Sequence, residues 1–279
     1  MHQSVHSPVL RSTPAGLSAT LSIDSAAAGA HDDLDARLAS WTERCDVAGL
    51  RASYEAQNEL VYATDFVPRA LVRELHDEAF HLESGAVRKY VPRIKKSGSV
   101  SFHVLAEAAP TVLGLYRSEA FIGLIEGIVG RRLETCPESD AHACALYYYT
   151  EPGDHISWHY DTSHYDGERF TVLIALADDS SARLLGQLYK DVPGREPADL
   201  ALATTPGTFV VFNGDKLYHA VSPIAAGERR VVLSLEYVTD RRMGRWRRFV
   251  SGMKDAIAYF GFRQWLFRRR GSKPRRPTA

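Results

Sequence analysis

No sign dominates the charge of this 279-residue chain: Lys plus Arg and Asp plus Glu each total 34. The global field that draws a protein onto nucleic acid is therefore missing, and nucleic acid is not expected as a partner. Cysteine is scarce as well. Cys45, Cys136 and Cys144 form neither a CxxC pair nor an even set, which excludes a disulfide framework and points to a reducing compartment, here the cytoplasm. Long apolar runs are also lacking, since "FIGLIEGIVG" is short and interrupted by Glu126. The opening "MHQSVHSPVLRSTPAG" has no charged segment followed by an apolar core. Neither a membrane span nor a signal peptide is supported. No internal repeat of fixed period is visible.

What is present divides into zones. Residues 1–31, rich in Ser, Ala, Pro and Gly, read as a disordered leader unable to bury enough surface to offset the entropy of ordering. The main domain is expected over residues 32–262. "HDDLDARLASWTERC" suits a short helix, and the alternation in "LRASYEAQNELVYATDFV" suggests strands. Helical support is expected over about 68–130: Pro68 opens a run in which Leu71, Leu75, Ala79 and Leu82 recur at helical spacing, and stretches at 108–117 and 118–129 follow, ending at Gly130. From about 131 to 240 the rhythm changes to short β segments, among them "ACALYYYT", "ISWHYD", "RFTVLIAL", "GTFVVFN" and "RRVVLSLEYV", separated by turn clusters. Such spacing implies a sandwich or barrel rather than a βαβ sheet. A C-terminal helix over 241–262 and a basic tail over 263–279 complete the chain. The tail region mixes aromatics with arginines ("YFGFRQWLFRRR"), and docking on the core is preferred over contact with an anionic membrane.

The chemistry concentrates in "ISWHYD". Side chains two apart on a strand leave the same face, so His159 and Asp161 project together. An imidazole and a carboxylate suit a divalent transition metal, but two protein ligands hold one weakly. His219 follows the apolar run "GTFVVFN" and a turn, and supplies the third. Two histidines and one carboxylate form a facial triad with open positions, which iron(II) needs in order to bind a cosubstrate and dioxygen together. "HYD" recurs at 164–166, but in a polar stretch closed by Gly167; the first copy, with Trp158 before it, is preferred. His155 shares strand parity with His159 if no bulge intervenes, making it a candidate substrate contact.

Arg229 and Arg230 open the otherwise apolar "VVLSLEYV". One of them should face inward, where an unpaired guanidinium is destabilising by roughly 3–5 kcal/mol and therefore needs an anion. Its planar fork matches a carboxylate, such as the distal one of an iron-chelating 2-oxoglutarate.

Together, "YTEPGDHISWHYD", "PGTFVVFNGDKLYH" and "HAVSPIAAGER" resemble the iron(II)- and 2-oxoglutarate-dependent dioxygenase superfamily, on its prolyl 4-hydroxylase-like side, over about Tyr147 to Tyr237. The resemblance implies a mainly β fold with bracing helices, a double-stranded β-helix or jelly roll, with iron(II), 2-oxoglutarate and O2 used together. It places Tyr149 on 2-oxoglutarate, and its spacing of ten residues after the histidine favours Arg229 over Arg230 as the clamp. Thr171 divides between a cosubstrate neighbour and ordinary β propensity. Because Asp161 is present, where related halogenases carry a small residue, hydroxylation is favoured over halogenation.

The expected activity is oxidation, chiefly hydroxylation, of a C–H bond in a small molecule such as an amino acid or secondary metabolite. A peptidyl hydroxylase is the alternative, and a non-catalytic metal- or ligand-binding module a third reading. A zinc hydrolase is weaker still, since no general-base Glu stands at a suggestive spacing. Substrate loops are expected at 88–104 and in "DTSHYDGE". Oligomeric state is not encoded.

Overall fold

Asp46 starts a helix where strands are expected. In the computed structural model, which describes residues 33–243, the Asp46 carboxylate accepts a hydrogen bond from the Gly49 amide at 2.9 Å. That satisfies one of the amides a helix start leaves open, and α2 runs Val47–Ala56 after α1 at residues 33–42. Of the stretch read as strands, only β1 (Leu60–Ala63) is extended. The helical support otherwise follows the apolar spacing. α3 (Arg69–Leu82) buries Leu71, Val72, Leu75 and Ala79. α4 (Phe102–Ala108) and α5 (Pro110–Arg117) follow. α6 (Glu119–Val129) starts at a Ser118 cap and stops at Gly130, whose φ of 68° is the left-handed conformation that ends helices.

The expected loop at 88–104 is instead a hairpin, β2 (Val87–Val91) and β3 (Lys95–Val100), leading into α4. β3 lies between β5 (Cys144–Tyr149) and β6 (His155–His159), pairing with both. Its Ser97 and Ser99 are buried there. Charged and small residues masked this strand in the sequence.

The remaining strands are β4 (Glu134–Thr135), β7 (Arg169–Asp179), β8 (Leu184–Leu188), β9 (Ala198–Leu202), β10 (Phe209–Asn213), β11 (Tyr218–Val221) and β12 (Arg229–Val238). All described pairings are antiparallel, in the order β1-β10-β7-β12-β5-β3-β6-β11-β8-β9, with β2 on β3 and β4 on β12. The sheet curls so that β10, β7, β12 and β5 face β6, β11 and β8, giving the jelly roll. Period-two alternation divides the first layer. Val172, Ile174, Leu176, Val211, Leu233 and Leu235 pack with Leu75, Val112, Phe121 and Ile125 of the helices in one core. Their neighbours of opposite parity, including Leu173, Arg230, Val232, Ser234 and Glu236, line an interior cavity.

Lys95 is fully buried on β3, its Nζ 5.6 Å from the centre of the Tyr147 ring. Burial, with Lys89 adding, pulls its pKa down to about 7. Between pH 7 and 10.5 the unfolded chain then holds a proton the folded chain has released, so stability rises with pH by up to about 1.4 kcal/mol per unit. Lys95→Met should remove this slope. Its stability gain over the parent chain, measured by urea unfolding, is expected to shrink by about 2–3 kcal/mol between pH 7 and 9.

The expected leader, C-terminal helix and basic tail lie outside the described residues. Among the described residues no helix is long and apolar enough to cross a membrane.

Candidate active site

β6 and β11 pair with His159 directly opposite His219, which sets the two imidazole centroids 4.2 Å apart. Asp161, just past the end of β6, turns its carboxylate to both: Oδ1 is 3.3 Å from His159 Nε2, and Oδ2 is 3.7 Å from His219 Nε2. One ligand atom from each of these three residues lies within 4.8 Å of the others, a grouping that could hold a metal ion. The backbone sets the imidazole tautomers. His159 Nδ1 sits 2.8 Å from the Ser157 carbonyl and His219 Nδ1 3.0 Å from the Leu217 carbonyl. A carbonyl only accepts, so each Nδ1 carries a hydrogen, and each Nε2 is turned to the side where Asp161 lies, where a metal could take its lone pair.

Electrostatics favour a neutral His219 and an ionised Asp161. Burial drives the His219 pKa down to about 4, with Asp161 opposing and His159 adding to the fall, so the ring is neutral at ordinary pH. Burial would raise the Asp161 carboxyl, but His219, His159 and Arg169 outweigh it and hold the group well below the usual carboxylate range. Two imidazoles and a carboxylate fit a divalent transition metal with positions left open.

The arginines are placed opposite to the expectation. Arg229 lies one-third exposed on the outer face of β12 and donates to both Glu83 oxygens, at 2.9 and 2.5 Å. Arg230, 1% exposed, faces the cavity. Its Nε donates to Thr204 Oγ1 at 3.0 Å, and Thr204 in turn donates to Asp178 at 2.7 Å. Asp178 itself stands 3.8 Å from Arg230 Nε. Nη1 has no hydrogen-bond partner among the described residues. A buried guanidinium with an unpartnered nitrogen has a donor free for an anion such as a carboxylate. The reason is strand parity: with Leu233 and Leu235 packed on the helices, the even-numbered residues of β12 point inward.

Tyr149 also lines the cavity, its ring 5.3 Å from the Arg230 guanidinium; burial, eased by Arg230, puts its phenol up at about 12, so it stays a neutral donor. Thr171 does not line the cavity. Its Oγ1 lies 3.0 Å from Asp161 Oδ2 and 2.9 Å from Glu236 Oε2, so it touches a candidate metal ligand. His155 is likewise displaced. The register between β6 and β11 slips between the His159 and Ile156 pairings, and this irregularity breaks the parity assumed from the sequence. Ile156 lines the cavity in its place, while His155 Nδ1 meets the Gly153 carbonyl at 2.8 Å.

Beyond the three ligand candidates, away from Arg230, the cavity wall turns polar: Asp140, His142, His164, Arg169, Ser234 and Glu236. Tyr165 donates to Asp140 at 2.6 Å, and Arg169 Nε to Glu236 at 2.9 Å. Glu236 was detectable in principle as an isolated charge within an apolar strand, whereas Arg169 stands at the start of β7 beside Glu168. Asp140 and His142 lie in a loop and carried no such signal.

A family model described as Halogenase D matches residues 42–174, just under half of the chain and inclusive of His159 and Asp161. No curated protein matches. Among solved structures, the epimerase SnoN from nogalamycin biosynthesis, in complex with Fe3+, alpha-ketoglutarate and nogalamycin RO, is 16% identical over 69% of this chain and 83% of its own, with a TM-score of 0.55. A prolyl hydroxylase from Trichoplax adhaerens, in complex with a hypoxia inducible factor peptide fragment, is 15% identical over 73% of this chain and 91% of its own, with a TM-score of 0.56. The carbocyclase SnoK from nogalamycin biosynthesis is 14% identical over 71% and 85%, with a TM-score of 0.55. These likenesses are to a shared architecture that carries several reactions. The chain shares the double-stranded β-helix fold of these 2-oxoglutarate-dependent enzymes and of the prolyl hydroxylase.

Proposed function

We propose that this chain is an iron(II)- and 2-oxoglutarate-dependent oxygenase that hydroxylates an unactivated C–H bond of a small molecule. The observation that carries the reading is a pairing inside one cavity. His159, Asp161 and His219 converge at one place, and the buried Arg230, with an unpartnered Nη1, opens into the same space. A metal-binding module would need the first feature but not the second. A dicarboxylate cosubstrate needs both.

In this reading His159, Asp161 and His219 hold the iron. Arg230 takes the distal carboxylate of 2-oxoglutarate, helped by the neutral Tyr149 hydroxyl. When bound, iron(II) with 2-oxoglutarate and dioxygen supplies an oxidant able to attack a C–H bond. The balance is substrate, 2-oxoglutarate and O2 giving hydroxylated substrate, succinate and CO2. The chain's own work is to keep both imidazoles neutral with Nε2 available, to hold the diacid in one orientation, and to set the reacting carbon among the polar groups beyond Asp161.

Hydroxylation is preferred over halogenation despite the name of the matching family model, because Asp161 occupies a position that a halide would need vacant. The polar wall of Asp140, His142 and His164 favours a small polar substrate. The Trichoplax likeness makes a peptide substrate the alternative.

A panel of small molecules and peptides, scored by succinate formed above the substrate-free background, tests this. A small molecule that raises succinate in step with its own oxidation is the expected result. His219→Ala should abolish that turnover; normal turnover by this variant contradicts the ligand assignment, and stimulation by peptides alone favours the peptidyl reading.

A further inference from the structure

Asp161 lies beyond the last residue of β6, so the strand ladder does not orient its side chain. Two contacts from elsewhere do. At the carboxylate end, Thr171 Oγ1 on β7 is 3.0 Å from Oδ2. At the backbone end, Gly214 in the turn between β10 and β11 packs so closely that a Cβ there would stand 2.5 Å from the Asp161 carbonyl oxygen and 3.1 Å from its Cβ. Any side chain at 214 must therefore move the Asp161 backbone. The turn is itself fixed: the Gly214 amide donates to the Arg169 carbonyl at 2.8 Å, and Asp215 Oδ1 accepts from the Ser163 amide at 3.1 Å. Asp161 thus sits between a hydrogen-bond donor and a steric stop.

Thr171 has one hydroxyl proton and two carboxylate neighbours, since Glu236 Oε2 is 2.9 Å away. Glu236 has donors of its own: Arg169 Nε reaches Oε2 at 2.9 Å and Ser234 Oγ reaches Oε1 at 3.1 Å. Asp161 Oδ2 gains more from the Thr171 proton. A hydrogen bond on one oxygen fixes the plane of the carboxylate and leaves Oδ1, on the His159 side, as the oxygen for a metal.

We propose that Thr171 and Gly214 are positioning residues that set Asp161 as a one-oxygen metal ligand, with Arg169 and Ser234 satisfying Glu236 so that the Thr171 hydroxyl is committed to Asp161. This rests on the oxygenase reading above. It assigns Thr171 a role toward the metal centre, not toward cosubstrate.

Anaerobic titration with cobalt(II), followed by its visible absorption, reads the effect without turnover. Thr171→Val keeps shape and removes the donor, so it should weaken cobalt binding about 10–100-fold. Thr171→Ser keeps the donor and should restore most of the affinity. Gly214→Ala should weaken binding as well and alter the absorption envelope, because it displaces the ligand itself. Thermal melting of the metal-free proteins identifies any variant that has lost its fold. Thr171→Val binding as tightly as the parent chain, with an unchanged spectrum, overturns this inference alone. Parent chain that binds no cobalt overturns the oxygenase reading and this inference together.

Discussion

Arg230→Met raises the 2-oxoglutarate concentration needed for half-saturation by about a hundredfold or more, whereas Arg229→Met leaves it unchanged. Truncating one partner of a buried, hydrogen-bonded charge pair costs about 2–5 kcal/mol, and each 1.4 kcal/mol is about tenfold in affinity. Arg230 meets that condition: it is 1% exposed, lines the cavity and has Nη1 unengaged. Arg229 spends its fork on Glu83 at the surface, so its removal touches only a partly exposed ion pair worth about 1 kcal/mol or less. Isothermal titration of 2-oxoglutarate into the anaerobic iron-loaded protein separates the two. A large loss from Arg229→Met with none from Arg230→Met reverses the assignment. Because Arg230→Met also leaves Asp178 without its nearby cation, a melting curve accompanies the titration.

Asp161→Gly lowers turnover about a thousandfold or more, since a metal's contribution to the transition state amounts to several kcal/mol and depends on its being held in place. Added chloride is not expected to convert this variant into a halogenase. The vacated position adjoins Glu236, whose Oε2 lies 2.9 Å from the same Thr171 hydroxyl that contacts Asp161. An anion placed there meets the Glu236 carboxylate, whose charge the Arg169 guanidinium at 2.9 Å offsets only in part, so like-charge repulsion opposes it. Asp161→Gly with Glu236→Gln removes that opposition and should take up chloride more readily. Mass spectrometry of products formed in chloride and in chloride-free buffer distinguishes the outcomes. Chlorinated product from the single variant, at rates near those of the double, contradicts the role given to Glu236.

The β core was legible because alternation survives in it: the helix-facing Val172, Ile174 and Leu176 and the inward Thr171, Leu173 and Ala175 are distinguishable from the sequence alone. Other parts failed for identifiable reasons. α2 was hidden because its start rests on one local contact, Asp46 to the Gly49 amide, while its apolar residues mimic alternation. β3 was hidden because small and charged residues serve a strand buried between two others. His155 was misplaced by a register slip, which no single sequence reveals. Counting from His219 along a family spacing gives Arg229, whose side chain turns to Glu83 instead of the cavity. Counting parity back from Glu236 and Ser234, polar residues at alternate positions in an apolar strand, gives Arg230. The three ligand candidates were legible because HxD at a strand end and a distant histidine after a second strand form a chemical set. Their support, Thr171 and Gly214, was not, because a contact between a hydroxyl and a carboxylate ten residues away depends on the turn that joins them.

One cavity is expected to bind a ferrous ion and 2-oxoglutarate together. Anaerobic addition of iron(II), then 2-oxoglutarate, to the intact protein measures this most directly through the weak visible charge-transfer band of the chelate. A band should appear only when both are present and saturate at one equivalent of each. No band at saturating concentrations of both would contradict it.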